Sequence, residues 1–160
     1  GERGELVVRG PQVFQGYYGK PEATEEVFAD GWFRTGDIVQ IDEDGFVRIV
    51  DRIKELIITG GFNVAPTEVE NALRQHPHVV DAAVVGLPSD RSGEEVVAAI
   101  VPVAGATLDE ESVREFARGI LTPYKVPRRI FVVDELPKSL IGKVLRRQVR
   151  ESLLQLTTGR

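Results

Sequence analysis

Asp51-Arg52-Ile53-Lys54-Glu55, followed at once by Leu56-Ile57-Ile58-Thr59-Gly60-Gly61, is the stretch that decides how the chain is divided. Four charges in five residues separate two apolar runs. Unpaired charges are costly to bury, so this block is expected on a surface or in a polar cleft. Phe46-Val47-Arg48-Ile49-Val50 before it reads as a strand ending one unit, and the apolar run after it opens another ahead of a Gly-Gly turn. The residues alone leave two readings open. One is a solvated turn between two strands. The other is a junction between two bodies that move around a shared site.

Upstream of the junction, Glu5 to Gly10 reads as a strand closed by Gly10-Pro11, and Pro21 to Phe28 suits a short helix with Pro early and acids in its first turn. Ile38 to Ile41 and Phe46 to Val50 form a hairpin around the tight turn Asp42-Glu43-Asp44-Gly45. Downstream, helices are expected over Pro66 to Gln75, Asp109 to Leu121 and Lys143 to Leu154, from apolar residues recurring at helical spacing. Strands are expected over Val79 to Leu87, Glu95 to Val103 and Arg129 to Asp134. The fold class is α+β: a small C-terminal domain with roughly three strands packed by helices, preceded by a β-rich piece. The expected division is residues 1–52 and residues 53–160.

Composition narrows the function. The 160 residues are 42% hydrophobic and 28% charged, ordinary for a globular protein, and the net charge of −5 argues against a nucleic-acid partner. A local exception runs from Lys138 to Arg150, with five Lys or Arg and no acid, a patch suited to phosphate. The absence of Cys excludes disulfides, a thiol nucleophile and a Cys-based metal site. There is no apolar run of membrane-spanning length and no signal-peptide pattern, so a cytoplasmic or membrane-peripheral location is expected. The chain begins at Gly1 and enters a strand-like run directly, which leads to the expectation of a fragment of a longer protein.

Three short motifs carry chemistry. In Gly142-Lys143 the Gly permits a tight turn and the Lys projects from an expected helix start, where a point cation suits phosphate or a developing oxyanion. The helix dipole mildly disfavours a cation there, so an ordinary exposed Lys stays an open alternative. Asp37 in Thr35-Gly36-Asp37 has a carboxylate able to accept from two adjacent hydroxyls, as in a ribose, or is a simple turn acid. Gly60-Gly61 either ends a strand or lets a thin ligand pass close to backbone. His76 and His78 are expected to cap a helix end or face solvent, and no metal site is expected.

Taken in order, these residues resemble one family. The series runs Gly4-Glu5-Leu6 with Arg9-Gly10-Pro11, Gly16-Tyr17 with Pro21-Glu22-Ala23-Thr24, and Asp30-Gly31-Trp32 with Thr35-Gly36-Asp37. It continues with Asp51-Arg52 and Lys54-Glu55, Gly60-Gly61-Phe62 with Pro66 and Glu68-Val69-Glu70, and Pro137-Lys138 with Gly142-Lys143 and Arg146-Arg147. This is similar to the C-terminal part of the acyl-adenylate-forming enzymes: acyl-CoA synthetases, luciferases and the adenylation domains of peptide synthetases. The apolar Leu140-Ile141 pair looks most like bacterial long-chain fatty-acid ligases.

The resemblance implies a two-step ligase. A fatty acid carboxylate and ATP give an acyl-adenylate and pyrophosphate, and coenzyme A then gives acyl-CoA and AMP. It implies Lys143 as the catalytic residue of adenylation, Asp37 and Arg52 as contacts to the ribose of ATP or AMP, and Lys54 as the hinge. Gly60, Gly61 and Phe62 would border the pantetheine channel. Magnesium would be held mainly by the larger N-terminal domain, whose last β-rich subdomain residues 1–52 resemble. That missing domain is the expected protein partner, the fragment alone is expected to be inactive, and surface left uncovered by it would favour a homodimer. Two alternatives stay open: an adenylation domain loading an amino or aryl acid onto a carrier protein, and a non-catalytic module that keeps the fold.

Overall fold

A computed structural model describes residues 3–158 as two compact units, the first ending at Lys54 and the second beginning at Glu55. The first unit is built on one long strand. β3 (Trp32–Ile41) pairs antiparallel with β1 (Arg3–Val8) along one edge. Its other edge is shared by β2 (Phe28–Ala29) and β4 (Val47–Arg52), also antiparallel. The β3–β4 hairpin turns where the sequence places it, with Asp42 Oδ1 accepting from the N–H groups of Asp44 (3.1 Å) and Phe46 (2.9 Å). Such an Asx turn is why an Asp begins the loop. Phe14, Phe28 and Phe33 pack at 5.1–5.6 Å beside the short helix α1 (Pro21–Val27).

The second unit is a five-stranded sheet covered on both faces. β8 (Gly93–Pro102) pairs antiparallel with β7 (Val79–Ser89) along its whole length. Its other edge carries β9 (Arg129–Val132), parallel, and a single pairing with β5 (Ile57–Thr59), which forms a hairpin with β6 (Phe62–Val64). β7, β8 and β9 are the three strands expected from sequence, and the 57–64 hairpin adds two. Alternation splits the core. Ala82, Val84, Val96, Ala98 and Ile100 face α2 (Pro66–Leu73) and α3 (Glu110–Arg118). Ala83, Val85, Val97 and Ala99 face Val149 and Leu153 of α4 (Arg146–Thr158). That two-sided burial explains the unbroken apolar run from Val96 to Val101. α3 starts where Asp109 accepts from the Ser112 N–H at 3.1 Å, an N-cap worth about 1 kcal/mol.

Three sequence expectations change. α4 begins at Arg146, not Lys143. Gly142 takes φ +79°, and the backbone of Ser139 pairs with that of Lys143, so a tight hairpin-like loop occupies the residues expected to start the helix. His76 is buried rather than solvent-facing, edge-on to Phe116 at 5.1 Å. Asp51, in the charged block expected on a surface, is buried as well, with its Oδ1 accepting from the Arg52 N–H at 2.8 Å. Among the described residues no helix is long and apolar enough to cross a membrane.

Candidate functional site

Thr35, Gly36 and Asp37 are not a turn between elements but a bulge inside β3. Glu5 pairs with Ile38 and Val7 with Arg34, so three residues of β3 lie opposite Leu6 alone. Gly36 makes this possible at φ +72°, a left-handed conformation that only Gly adopts without strain. The bulge is pinned on both sides. Thr35 Oγ1 donates to the Leu6 carbonyl at 2.7 Å and accepts from the Asp37 N–H at 3.1 Å, while Glu5 Oε1 accepts from the Gly36 N–H at 3.3 Å. Asp37 then lies opposite Arg52 on β4, and Arg52 Nε is 3.1 Å from Asp37 Oδ1. The Asp37 side chain is only 18% exposed and that of Arg52 is 60% exposed, so a fixed carboxylate sits beneath a reachable guanidinium. A carboxylate engaged through one oxygen keeps acceptor capacity for hydroxyl donors.

Lys54 is exposed in the short 3₁₀ turn Ile53–Glu55, at the end of the first unit. Just beyond it, Thr59 pairs with Phe62 around Gly60 and Gly61, whose φ values are +56° and +84°. Positive φ at both central residues is the two-residue turn that matches strand twist. The Gly60 N–H donates to the Ser92 carbonyl at 2.9 Å, tying this tip to the β7–β8 turn. Phe62 stacks on Tyr124, with centroids 4.5 Å apart and planes at 17°. Thr59, Gly60, Phe62, Tyr124, Arg114 and Arg118 line an open groove of about 830 Å³. Tyr124 and the two arginines were not singled out by sequence reasoning. The signal was there in the arginines' i,i+4 spacing and in the aromatic held between Pro123 and Pro127.

Lys143 stands on the loop before α4. Lys138 bridges to Val144, Ser139 N–H donates to the Lys143 carbonyl at 2.8 Å, and Ser139 Oγ accepts from the Lys143 N–H at 3.2 Å. The backbone is therefore held while the side chain is exposed. The basic run 138–150 proves not to be an open phosphate patch. Lys138 Nζ is 2.8 Å from Asp81, Arg147 is 3.0 Å from Glu151, Arg150 donates to the Gly86 carbonyl at 2.9 Å, and Arg146 pairs with Glu55 and Glu70. Of the five cations, Lys143 alone has no ion pair or side-chain hydrogen bond to another described residue. Burial alone would raise the Asp81 pKa, but hydrogen bonds from Lys138, Arg74 and the Ala82 N–H hold it below the usual carboxylate value. Asp81 thus stays ionised at neutral pH and anchors the base of the Lys143 loop.

Among the described residues no group of three His, Asp or Glu side chains is placed to hold a metal ion.

Comparison with known proteins gives this geometry its setting. Residues 68–143 match the family described as AMP-binding enzyme C-terminal domain. A long-chain-fatty-acid–CoA ligase of Escherichia coli O157:H7 is 52% identical over 151 residues, covering 94% of this chain and 27% of its own length. A feruloyl-CoA synthase of Amycolatopsis is 47% identical over 150 residues, covering 94% of the chain and 30% of its own length. ATP-bound MatB from Rhodopseudomonas palustris superposes with a TM-score of 0.90 at 43% identity, covering 98% of this chain and 31% of that one. The chain thus spans 27–30% of the length of these curated relatives. The matched segment, the identity and the fold agree: residues 68–143 carry an AMP-binding enzyme C-terminal domain, and the chain is similar over nearly its whole length to part of these adenylate-forming enzymes.

Proposed function

We propose that the whole protein of which this chain forms part is an ATP-dependent fatty acyl-CoA ligase. The observation that carries the reading is Lys143: a cation without a described ion-pair partner, exposed on a loop fixed by its own backbone, in a chain 52% identical to a long-chain-fatty-acid–CoA ligase. In the first step a carboxylate oxygen of the fatty acid attacks the α-phosphorus of ATP and pyrophosphate leaves. Two anions must meet, and negative charge grows around phosphorus. A placed ammonium lowers that repulsion most where charge develops, which is the role given to Lys143. Asp37 accepts from the ribose hydroxyls, with Arg52 holding its other oxygen and adding a second ribose contact.

In the second step the coenzyme A thiol loses its proton and attacks the acyl carbonyl, and AMP leaves. No cation is needed at the phosphate then. The proposal gives this step to the Gly60-Gly61-Phe62 face, where glycines let the thin pantetheine arm lie against backbone. The Phe62–Tyr124 stack supplies an aromatic face beside this tip. Lys54 absorbs the backbone change between steps, as residues between compact bodies do. Magnesium would act beside ATP through residues outside this chain.

The test is ATP–pyrophosphate exchange by the full-length protein with fatty, aryl and amino acids, repeated with Lys143→Ala. Exchange with fatty acids that disappears in the variant supports the reading. The 47% identity to a feruloyl-CoA synthase favours a second reading, an aryl-acid ligase, which exchange with aryl acids alone would select. Exchange only with amino acids would point to loading of a carrier protein, and none with any acid to a non-catalytic module.

A further inference from the structure

Arg146, the first residue of α4 and three residues past Lys143, binds three side chains on two other elements at once. Its Nε lies 2.8 Å from Glu70 Oε1 and its Nη2 lies 2.8 Å from Glu70 Oε2, a two-pronged pair. Nη2 also donates to Thr67 Oγ1 at 2.8 Å, and Nη1 donates to Glu55 Oε2. Glu70 in turn accepts from the Val84 N–H at 3.0 Å, so the pair is welded to β7. The side chains are 20% exposed for Arg146, 5% for Glu70 and 32% for Glu55, which shields the pairs from solvent screening. A guanidinium held by two carboxylates and a hydroxyl has little freedom, because its planar fork fits one geometry.

Glu55 is the residue directly after Lys54. The segment leaving Arg146 toward Lys143 is likewise tied, with Leu145 N–H donating to the Pro137 carbonyl at 2.8 Å. We infer that Arg146 is a positioning residue whose bond to Glu55 ends the pivot at Lys54 and makes the Lys143 loop move as one piece with the start of the second unit. Without that bond, rotation spreads into Glu55 and Leu56, and the same turn at Lys54 no longer delivers Lys143 or the Gly60-Gly61 tip to a fixed place. This rests on the ligase reading above for its consequence in catalysis, but not for its physical content.

Arg146→Ala would leave the buried Glu70 with only Arg74, at 3.7 Å, as ion-pair partner, so the test uses Glu55→Gln, which removes the charge and leaves the Arg146–Glu70 pair whole. Amide hydrogen exchange on the chain is expected to speed up about tenfold at Glu55 and Leu56, with β7 and β8 unchanged. No change there, or an equal rise through β7 and β8, overturns the inference. In the full-length ligase Glu55→Gln is expected to slow both half-reactions by a similar factor of several-fold. Lys143→Ala serves as the contrast, losing only the first. Local loosening with both half-reactions at the wild-type rate would overturn the catalytic part. If Lys143→Ala fails to separate the steps, the ligase reading falls while the exchange result still judges the clamp.

Discussion

Arg52 Nε lies 3.1 Å from Asp37 Oδ1, and the two residues face each other across β3 and β4 where the bulge Thr35-Gly36-Asp37 ends. A pair whose guanidinium is 60% exposed contributes about 0–1 kcal/mol to folding. Its stability role is therefore small, so the proposed ribose contact can be tested apart from folding. Arg52→Ala is expected to shift the urea midpoint of the chain little. Asp37→Ala in the full-length protein should raise the KM for ATP about ten- to a hundredfold, the cost of hydrogen bonds to a charged acceptor. Initial rates over an ATP titration decide it. An unchanged KM would remove Asp37 from the nucleotide site.

Gly142 places Lys143 through backbone geometry alone. Its φ is +79°, and a Cβ built there would meet no atom within 4 Å. Gly142→Ala therefore meets no clash and carries only the left-handed penalty, about 1–2 kcal/mol. Asn tolerates that region better and should cost less. The expected order of urea midpoints is wild type, Gly142→Asn, Gly142→Ala. Pyrophosphate exchange by the full-length variants should follow the same order, because the loop relaxes and Lys143 goes with it. Equal exchange in all three would mean that the loop conformation does not set the position of the ammonium.

Some of this was readable from the chain and some was not, for reasons of range. The two-faced burial of β8 is legible because Val96 to Val101 has no polar alternation, and the β3–β4 hairpin is legible because Asp42 and Gly45 are local turn chemistry. Lys143 stood out as a residue, but its loop did not, since helix onset is settled by Ser139 pairing back onto Lys143 rather than by apolar spacing. The groove joins Phe62 to Tyr124, and the clamp joins Glu55 to Arg146, across dozens of residues. No local pattern encodes such meetings. The basic run 138–150 read as one patch for the same reason: the acids that neutralise Lys138 and Arg146 lie far upstream, at Asp81, Glu55 and Glu70.

His76 is expected to make the second unit sensitive to mild acid. The ring is buried against Phe116, and its Nδ1 accepts from the His78 N–H at 3.2 Å, so the neutral form protonated at Nε2 is the one that fits. Burial, and then the neighbouring His78, lower its pKa below the ordinary 6.5. The unfolded chain therefore takes up this proton first as pH falls. The contribution of the neutral ring is complete above about pH 6.5 and is lost as pH drops through that value toward the folded-state pKa. Urea unfolding of the chain at pH 7.5 and 5.5 should show a lower midpoint at the acid pH. His76→Phe keeps an aromatic ring beside Phe116 and removes the proton site, so its two midpoints should lie closer together, whatever its absolute stability. An undiminished gap in the variant would assign the acid sensitivity elsewhere and leave His76 as a packed ring with no part in it.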